Sequence, residues 1–296
     1  MQRNTRAASL AFGVQPRHDE RAPHDRGQPP PKRVDRGRGI TVPPSGHGSR
    51  WQRPEDCMTA ADADLARRNA VLDGLEADAL ASLLPSLSET DLPVSRVLHE
   101  PGQAVLDVYF PLAGVVSVVA DLGEDQVVET ATVGPEGMVG ISVYLGASTP
   151  TERSLVQVPG RALCMAAEDL RRHIADIDGP LTVMLRRSAQ ALFTQVSRNA
   201  ACNRVHTARQ RAARWLLMTA DRMDSPSFEL TQHFLAQMLA IRRTSVSEVA
   251  QSLAEDGCIT YSRGQITVTD RPRLLAHSCS CYEVIRRSTE SLLSAR

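Results

Sequence analysis

Residues 230–254 read Leu-Thr-Gln-His-Phe-Leu-Ala-Gln-Met-Leu-Ala-Ile-Arg-Arg-Thr-Ser-Val-Ser-Glu-Val-Ala-Gln-Ser-Leu-Ala, and their apolar spacing divides them into two short helices. Thr231 can cap the first, whose buried face is Phe234, Leu235, Met238 and Leu239, and Ala240-Ile241-Arg242 makes the turn. The second helix turns Val246, Val249, Ala250 and Leu253 inward and leaves Arg243, Thr244, Ser247, Glu248 and Gln251 outward. Small Ala236 and Ala240 let the two helices cross closely. Side chains of these outward types donate to or accept from base edges in a DNA major groove, and they equally suit a solvated helix face. The next segment favours the first reading. Asp256-Gly257 stops the helix, Cys258–Tyr261 and Gln265–Thr269 read as two strands, and Ser262-Arg263-Gly264 is a tight turn, so a hairpin would hold Arg263 out toward a phosphate.

Such reading elements need a platform. Leu181, Leu185, Ser188, Leu192, Gln195, Asn199 and Cys202 recur at close to a 3.5-residue repeat, which suits a long helix over 181–205 pairing with its own copy across a two-fold axis. Gln195 and Asn199 would then fix register; a helix buried in its own chain is the alternative. Upstream, β-branched runs at Arg96–His99, Val105–Phe110, Gly114–Ala120, Gln126–Val133, Arg153–Val158 and Ala162–Met165 alternate with Pro101-Gly102, Gly123-Glu124, Gly134-Pro135 and Pro159-Gly160. This punctuation predicts an antiparallel barrel or roll. Helical spacing from Asn69 to Leu87 predicts one or two short helices ahead of it. Residues 1–58, with Pro29-Pro30-Pro31 and Arg36-Gly37-Arg38-Gly39, carry no pattern able to pack a core and read as a disordered basic arm. Met58 is a candidate working start, and an arm that touches DNA is the alternative.

The formal charge is zero, but its distribution is not even. Residues 1–58 hold 11 Lys/Arg and 6 Asp/Glu (+5), residues 59–197 hold 9 and 19 (−10), and residues 198–296 hold 14 and 9 (+5). A basic C-terminal third behind an acidic middle is the asymmetry of a chain in which one part approaches a polyanion. There is neither an apolar run long enough to span a bilayer nor an N-terminal secretory core, which predicts a cytoplasmic protein with reduced thiols at Cys57, Cys164, Cys202, Cys258, Cys279 and Cys281. A metal-dependent cupin would need two or three histidines and a carboxylate inside the roll, which offers His99 alone, with His173 beyond it. With no nucleophile elbow, phosphate loop or dinucleotide fingerprint either, no catalytic residue is assigned. Cys279-Ser280-Cys281, with Cys258 and His277 nearby, lacks the spacing of a zinc ribbon or finger, so a structural role is expected and no metal ligand is assigned.

Over roughly residues 69–290 the order of parts resembles the Crp/Fnr family. The local matches are Tyr109-Phe110-Pro111-Leu112-Ala113-Gly114-Val115-Val116-Ser117, Val133-Gly134-Pro135-Glu136-Gly137-Met138-Val139-Gly140, the helix Ala212-Ala213-Arg214-Trp215-Leu216-Leu217-Met218, and the 230–264 segment. The resemblance implies an α+β fold: an N-terminal antiparallel β-roll like a cyclic-nucleotide-binding jelly roll over 59–178, a long dimerisation helix over 179–206, and a C-terminal winged helix-turn-helix over 207–296. It further implies a homodimer that binds an inverted repeat in double-stranded DNA under control of a signal at the roll, and that meets RNA polymerase if it activates. Base-reading positions fall at Arg243, Thr244 and Glu248, with Arg242 and Ser245 nearer the phosphates, Ser247 on the same face and Arg263 on the wing. Thr244 stands where the family's founding member has glutamate and Glu248 where it has arginine, so a different operator is expected, Arg243 facing a guanine and Glu248 a cytosine amine. The family's cyclic-nucleotide pocket pairs Gly-Glu for the ribose with Arg-Ser for the cyclic phosphate. Arg153-Ser154 match the second pair, but Ile141 follows Gly140, so the ribose carboxylate is missing and no cofactor is assigned; a plain salt bridge is the alternative for Arg153. An iron–sulfur sensor needs about four clustered cysteines, and only Cys57 precedes the roll. The rival for the whole chain is a roll sensor whose helix-turn-helix contacts protein rather than DNA, with Glu248 and the modest +5 charge in its favour.

Overall fold

The structure, a computed structural model, describes residues 61–296 other than 124–126, 224 and 295–296, with backbone alone at 233 and 294. The arm expected at 1–58, with Cys57 and Met58, lies outside the described residues, as does Gln126 of one expected strand. Three short helices come first: α1 (Ala63–Ala66), α2 (Ala70–Asp73) and α3 (Ala77–Leu83), followed by a 3-10 turn at Leu84–Ser86. Asp62 and Asn69 cap the first two by accepting from Leu65 and Val71 N–H. Asn69 is fully buried, and its amide donates to the carbonyls of Pro111 (3.0 Å) and Gly137 (2.9 Å). The helical entry is thereby bolted to β3 and to the loop after β4 of the roll.

The roll is one antiparallel sheet of β1 (Ser88–Leu92), β2 (Val97–His99), β3 (Asp107–Asp121), β4 (Val127–Val133) and β5 (Arg153–Ala166), in the order β1-β5-β3-β4 with β2 also on β5. The strands expected at Val105–Phe110 and Gly114–Ala120 are a single 15-residue strand, and those at Arg153–Val158 and Ala162–Met165 a single 14-residue one. Gly114 and Pro159-Gly160 do not end strands; they face each other where the β3–β5 register shifts. Gly114 has φ +94°, and a Cβ there would lie 2.8 Å from the Val158 carbonyl, so this glycine marks a bulge rather than a turn.

After α4 (Ile141–Tyr144) and α5 (Ala167–His173), Pro180 opens the 26-residue α6 (Pro180–Val205) at a position where its missing N–H costs nothing. The expected dimer seam is corrected here. Leu181 and Leu185 pack into the roll core of the same chain, Gln195 Nε2 donates to Thr132 Oγ1 at 2.9 Å, Asn199 Nδ2 donates to the Thr130 carbonyl at 2.9 Å, and Cys202 is fully buried. The 3.5-residue repeat identified a buried stripe correctly, but β4 and other elements of the same chain do the burying.

Thr207 starts α7 (Ala208–Ala220) with a reciprocal cap to Gln210. Then come β6 (Ser227–Glu229), α8 (Gln232–Leu239), α9 (Arg243–Glu255), β7 (Ile259–Ser262), β8 (Gln265–Val268), α10 (Arg271–His277) and α11 (Cys281–Ser294). The wing is a sheet of order β6-β8-β7, one strand more than the hairpin expected. Val115, Val119 and Val158 of the roll share one core with Trp215, Leu216, Met238 and Val246, so the C-terminal part packs on the roll of its own chain.

Candidate nucleic-acid interface

Thr231 Oγ1 accepts from Phe234 N–H at 3.2 Å, so α8 begins where its cap predicts. Ala240, at φ 48° and ψ 47°, takes the left-handed conformation that closes α8, and extended Arg242 redirects the chain into α9. Val246 and Leu253 are wholly buried and Ala250 nearly so, which fixes the rotation of α9 about its axis. That rotation leaves Arg242, Arg243, Thr244 and Glu248 exposed and Ser245 half-buried. Among the described residues none of these five makes a side-chain hydrogen bond or ion pair. Ser247 differs: it is half-buried and donates to Gln232 Oε1 at 3.2 Å, tying α9 to α8. Gln251 Nε2 is engaged with Glu255 Oε1 at 2.8 Å.

Arg263 (φ 52°) and Gly264 (φ 81°) are the central pair of a two-residue loop whose flanks, Ser262 and Gln265, pair directly. Two successive positive φ angles make a type I′ turn, whose twist matches that of the strands. Arg263 is exposed at the tip with no partner among the described residues.

Behind this surface lies a polar group that the sequence did not single out. Glu129 on β4 is buried, accepting from Ser117 Oγ at 2.7 Å and from Trp215 Nε1 at 3.1 Å; Ser117 Oγ also lies against the Gln157 side-chain amide. Burial pushes the Glu129 carboxyl up to about 7, against the lowering by those two hydrogen bonds and by Arg214 and Arg222. Glu129 and Trp215 stand 86 residues apart, so no local pattern announces their contact.

The expected ligand residues are less coherent as a site. Gly140 (φ +95°) caps α4, Ile141 is half-buried and apolar, and Ser154 is buried on β5 opposite Val118. Arg153 Nε donates to Glu100 Oε2 at 2.8 Å, which is the salt bridge alternative with Glu100 as partner. A cavity of about 560 Å³ lies elsewhere, among Arg67, Arg68, Glu136, Arg222, Arg271 and Arg286, and includes none of those four. Cys279 and Cys281 gather with Cys202 and His206, not with Cys258 and His277.

The profile of the Crp-like helix-turn-helix domain matches residues 210–277, from α7 through the wing to α10. Over 220 residues the chain is 24% identical to a CRP-like cAMP-activated global transcriptional regulator of Mycobacterium tuberculosis, covering 71% of this chain and 97% of that one. FixK2 of Bradyrhizobium japonicum shares the fold with a TM-score of 0.56 at 16% identity, covering 66% of this chain and 98% of that one. A transcriptional regulator of the CRP family from Thermus thermophilus does so with a TM-score of 0.52 at 18% identity, covering 70% and 100%. Residues 210–277 are thus a Crp-like helix-turn-helix, the antiparallel β-roll and long helix ahead of it share the fold of Crp/Fnr regulators, and the chain is a DNA-binding transcription regulator similar to them.

Proposed function

We propose that the protein acts in the cytoplasm as a homodimer whose two α9 helices enter successive major grooves of an inverted-repeat operator. The observation that carries this reading is the N-terminal face of α9, where Arg242, Arg243, Thr244 and Glu248 are exposed and unpaired among the described residues. Arg243 reads a guanine and Glu248 a cytosine amine, with Thr244 beside them, while Arg242, Ser245 and Arg263 take phosphates and Ser247 holds α9 against α8. Two such helices must sit roughly 34 Å apart, one turn of DNA.

Dimerisation uses α6, on the side opposite the expected seam. Ala189, Phe193, Val196, Ala200 and Asn203 repeat at four- and three-residue steps along the outer face, and Phe193 is 66% exposed. An outward heptad stripe on a 26-residue helix whose other face is committed to its own chain fits a second copy of the same helix. The roll over 59–178 is the sensor, 179–206 the coupling helix and 207–296 the reader, and a signal that shifts α6 packing resets the α9 spacing. The lack of a carboxylate at Ile141 and the engagement of Arg153 by Glu100 favour a signal other than a cyclic nucleotide held in the family's manner. If the bound dimer activates, RNA polymerase is its further partner.

Selection of the full chain on a random double-stranded DNA pool tests the reading. An enriched inverted repeat with half-sites one turn apart is expected. A single half-site would remove the dimer, and no enrichment with or without cyclic nucleotides would remove the operator reading.

A further inference from the structure

At the joint between α6 and α7, four side chains of a type that suits soft metal ions converge. Cys202 and His206 are one helical turn apart at the C-terminal end of α6, and Cys279 just precedes and Cys281 opens α11, where the chain returns to pack along α6. Their donor atoms all lie within 4.8 Å of one another. Cys202 Sγ is 3.5 Å from Cys279 Sγ, and Cys281 Sγ is 3.7 Å from His206 Nδ1. A tetrahedral ion with bonds of ~2.3 Å to sulfur and ~2.0 Å to nitrogen sets its ligands roughly 3.5–3.8 Å apart, so these contacts already have the edge length such an ion requires. From this geometry we propose that Cys202, His206, Cys279 and Cys281 bind one zinc ion as a Cys3His site.

The surroundings support a closed, structural site. All three thiols are buried and His206 is half-buried, leaving no open position for a substrate. Three thiolates and a neutral imidazole around a dication carry a net charge of −1, with the three thiol protons released to solvent on binding. Two cations stand ready for that charge. Arg211 and Arg214 are buried close enough to the thiols to interact with them electrostatically, and their hydrogen bonds run to neutral groups: Asn203 Oδ1 and the Leu239 carbonyl for Arg211, Asn199 Oδ1 and Met218 Sδ for Arg214. Neither forms an ion pair among the described residues, and the Nε–H of each is without a partner there. Neither guanidinium is in direct contact with a carboxylate, and the one that acts on Arg214, Glu129, is itself pushed toward the neutral form by burial, so both cations are costly beside neutral thiols and are compensated beside an anionic zinc complex. The ion would pin α11 to the His206-Thr207 joint, the point at which the long helix hands over to the reader.

The test is metal content of the full chain purified anaerobically with zinc in the medium, together with the absorption spectrum after cobalt replacement. About one zinc per chain and the intense red-region bands of tetrahedral cobalt with thiolate charge transfer are expected. Cys279→Ser and Cys281→Ser should lose the ion, His206→Cys should retain it, and Cys164→Ser and Cys258→Ser should leave it unchanged. The unmodified chain decides the matter even where a variant fails to fold. Zinc-free protein with every thiol open to alkylation would overturn the site, as would a Cys202–Cys279 disulfide in the anaerobic preparation, or zinc held equally by Cys279→Ser.

Discussion

Arg243 and Arg263 are both exposed arginines, yet they stand on surfaces that the proposed reading brings to DNA differently. Arg243 opens α9 and in the proposed reading faces base edges, so Arg243→Ala should weaken operator binding by about 1–3 kcal/mol per half-site and relax preference at one base pair of each. Arg263 tips the wing, so Arg263→Ala should leave base preference intact and reduce the slope of log K against log salt by about 1.8, roughly 0.9 from each half of the proposed dimer. Fluorescence anisotropy across a salt series on operator and mismatched DNA separates the two. Glu129 carries a different signature. Its folded pKa of about 7 lies above its ordinary value of 4.5, so within that window the folded chain keeps a proton that the unfolded chain has released. Stability from this group is fully present below 4.5 and is lost as pH rises toward 7, by roughly 3 kcal/mol at most. Glu129→Gln should flatten that slope while still accepting from Trp215, as read from urea midpoints just below and just above the window.

Helix α6 shows how one element serves two faces. Its inner face is tied down by Gln195 and Asn199, and Asn199 Oδ1 also accepts from Arg214 at 2.7 Å. Asn199→Ala strands a buried guanidinium and a carbonyl, so urea unfolding should show a loss of about 1–3 kcal/mol with the association state unchanged. Phe193→Glu should do the reverse, giving a folded monomer by sedimentation equilibrium and binding to a half-site only. The periodicity of the inner stripe was legible: a repeat near 3.5 located the helix and the residues that it buries. Which stripe meets the same chain and which is left for the proposed partner was not, because Gln195 buried against Thr132 and a Gln buried between two copies of the helix have the same spacing. Turns were legible on similar terms. Arg263-Gly264 and Thr231 act through neighbours within three residues, whereas Gly114 reads as a strand end until β5 is beside it.

Among the described residues, the acidic roll and the basic C-terminal part share a core, with Val115, Val119 and Val158 in one cluster with Trp215 and Leu216. Excised residues 207–296 should therefore unfold at lower urea than the same segment in the full chain and should bind a hydrophobic dye. That contact also gives the roll a physical route to α8, since β4 carries Glu129 and Ser117 Oγ lies 3.7 Å from Met238 Sδ. The order of roll, long helix and winged reader, the caps and turns that bound them, and the exposed face of α9 are all written in the residue pattern, because each depends on hydrophobic period or on hydrogen bonds a few residues apart. The inward turn of the Gln195 stripe, the burial of Glu129 under Trp215, the pairing of Arg153 with Glu100 and the meeting of Cys202 with Cys279 emerge only once the chain has folded. Those partners are 53 to 86 residues apart along the chain, and packing in three dimensions selects among many that local spacing leaves equivalent.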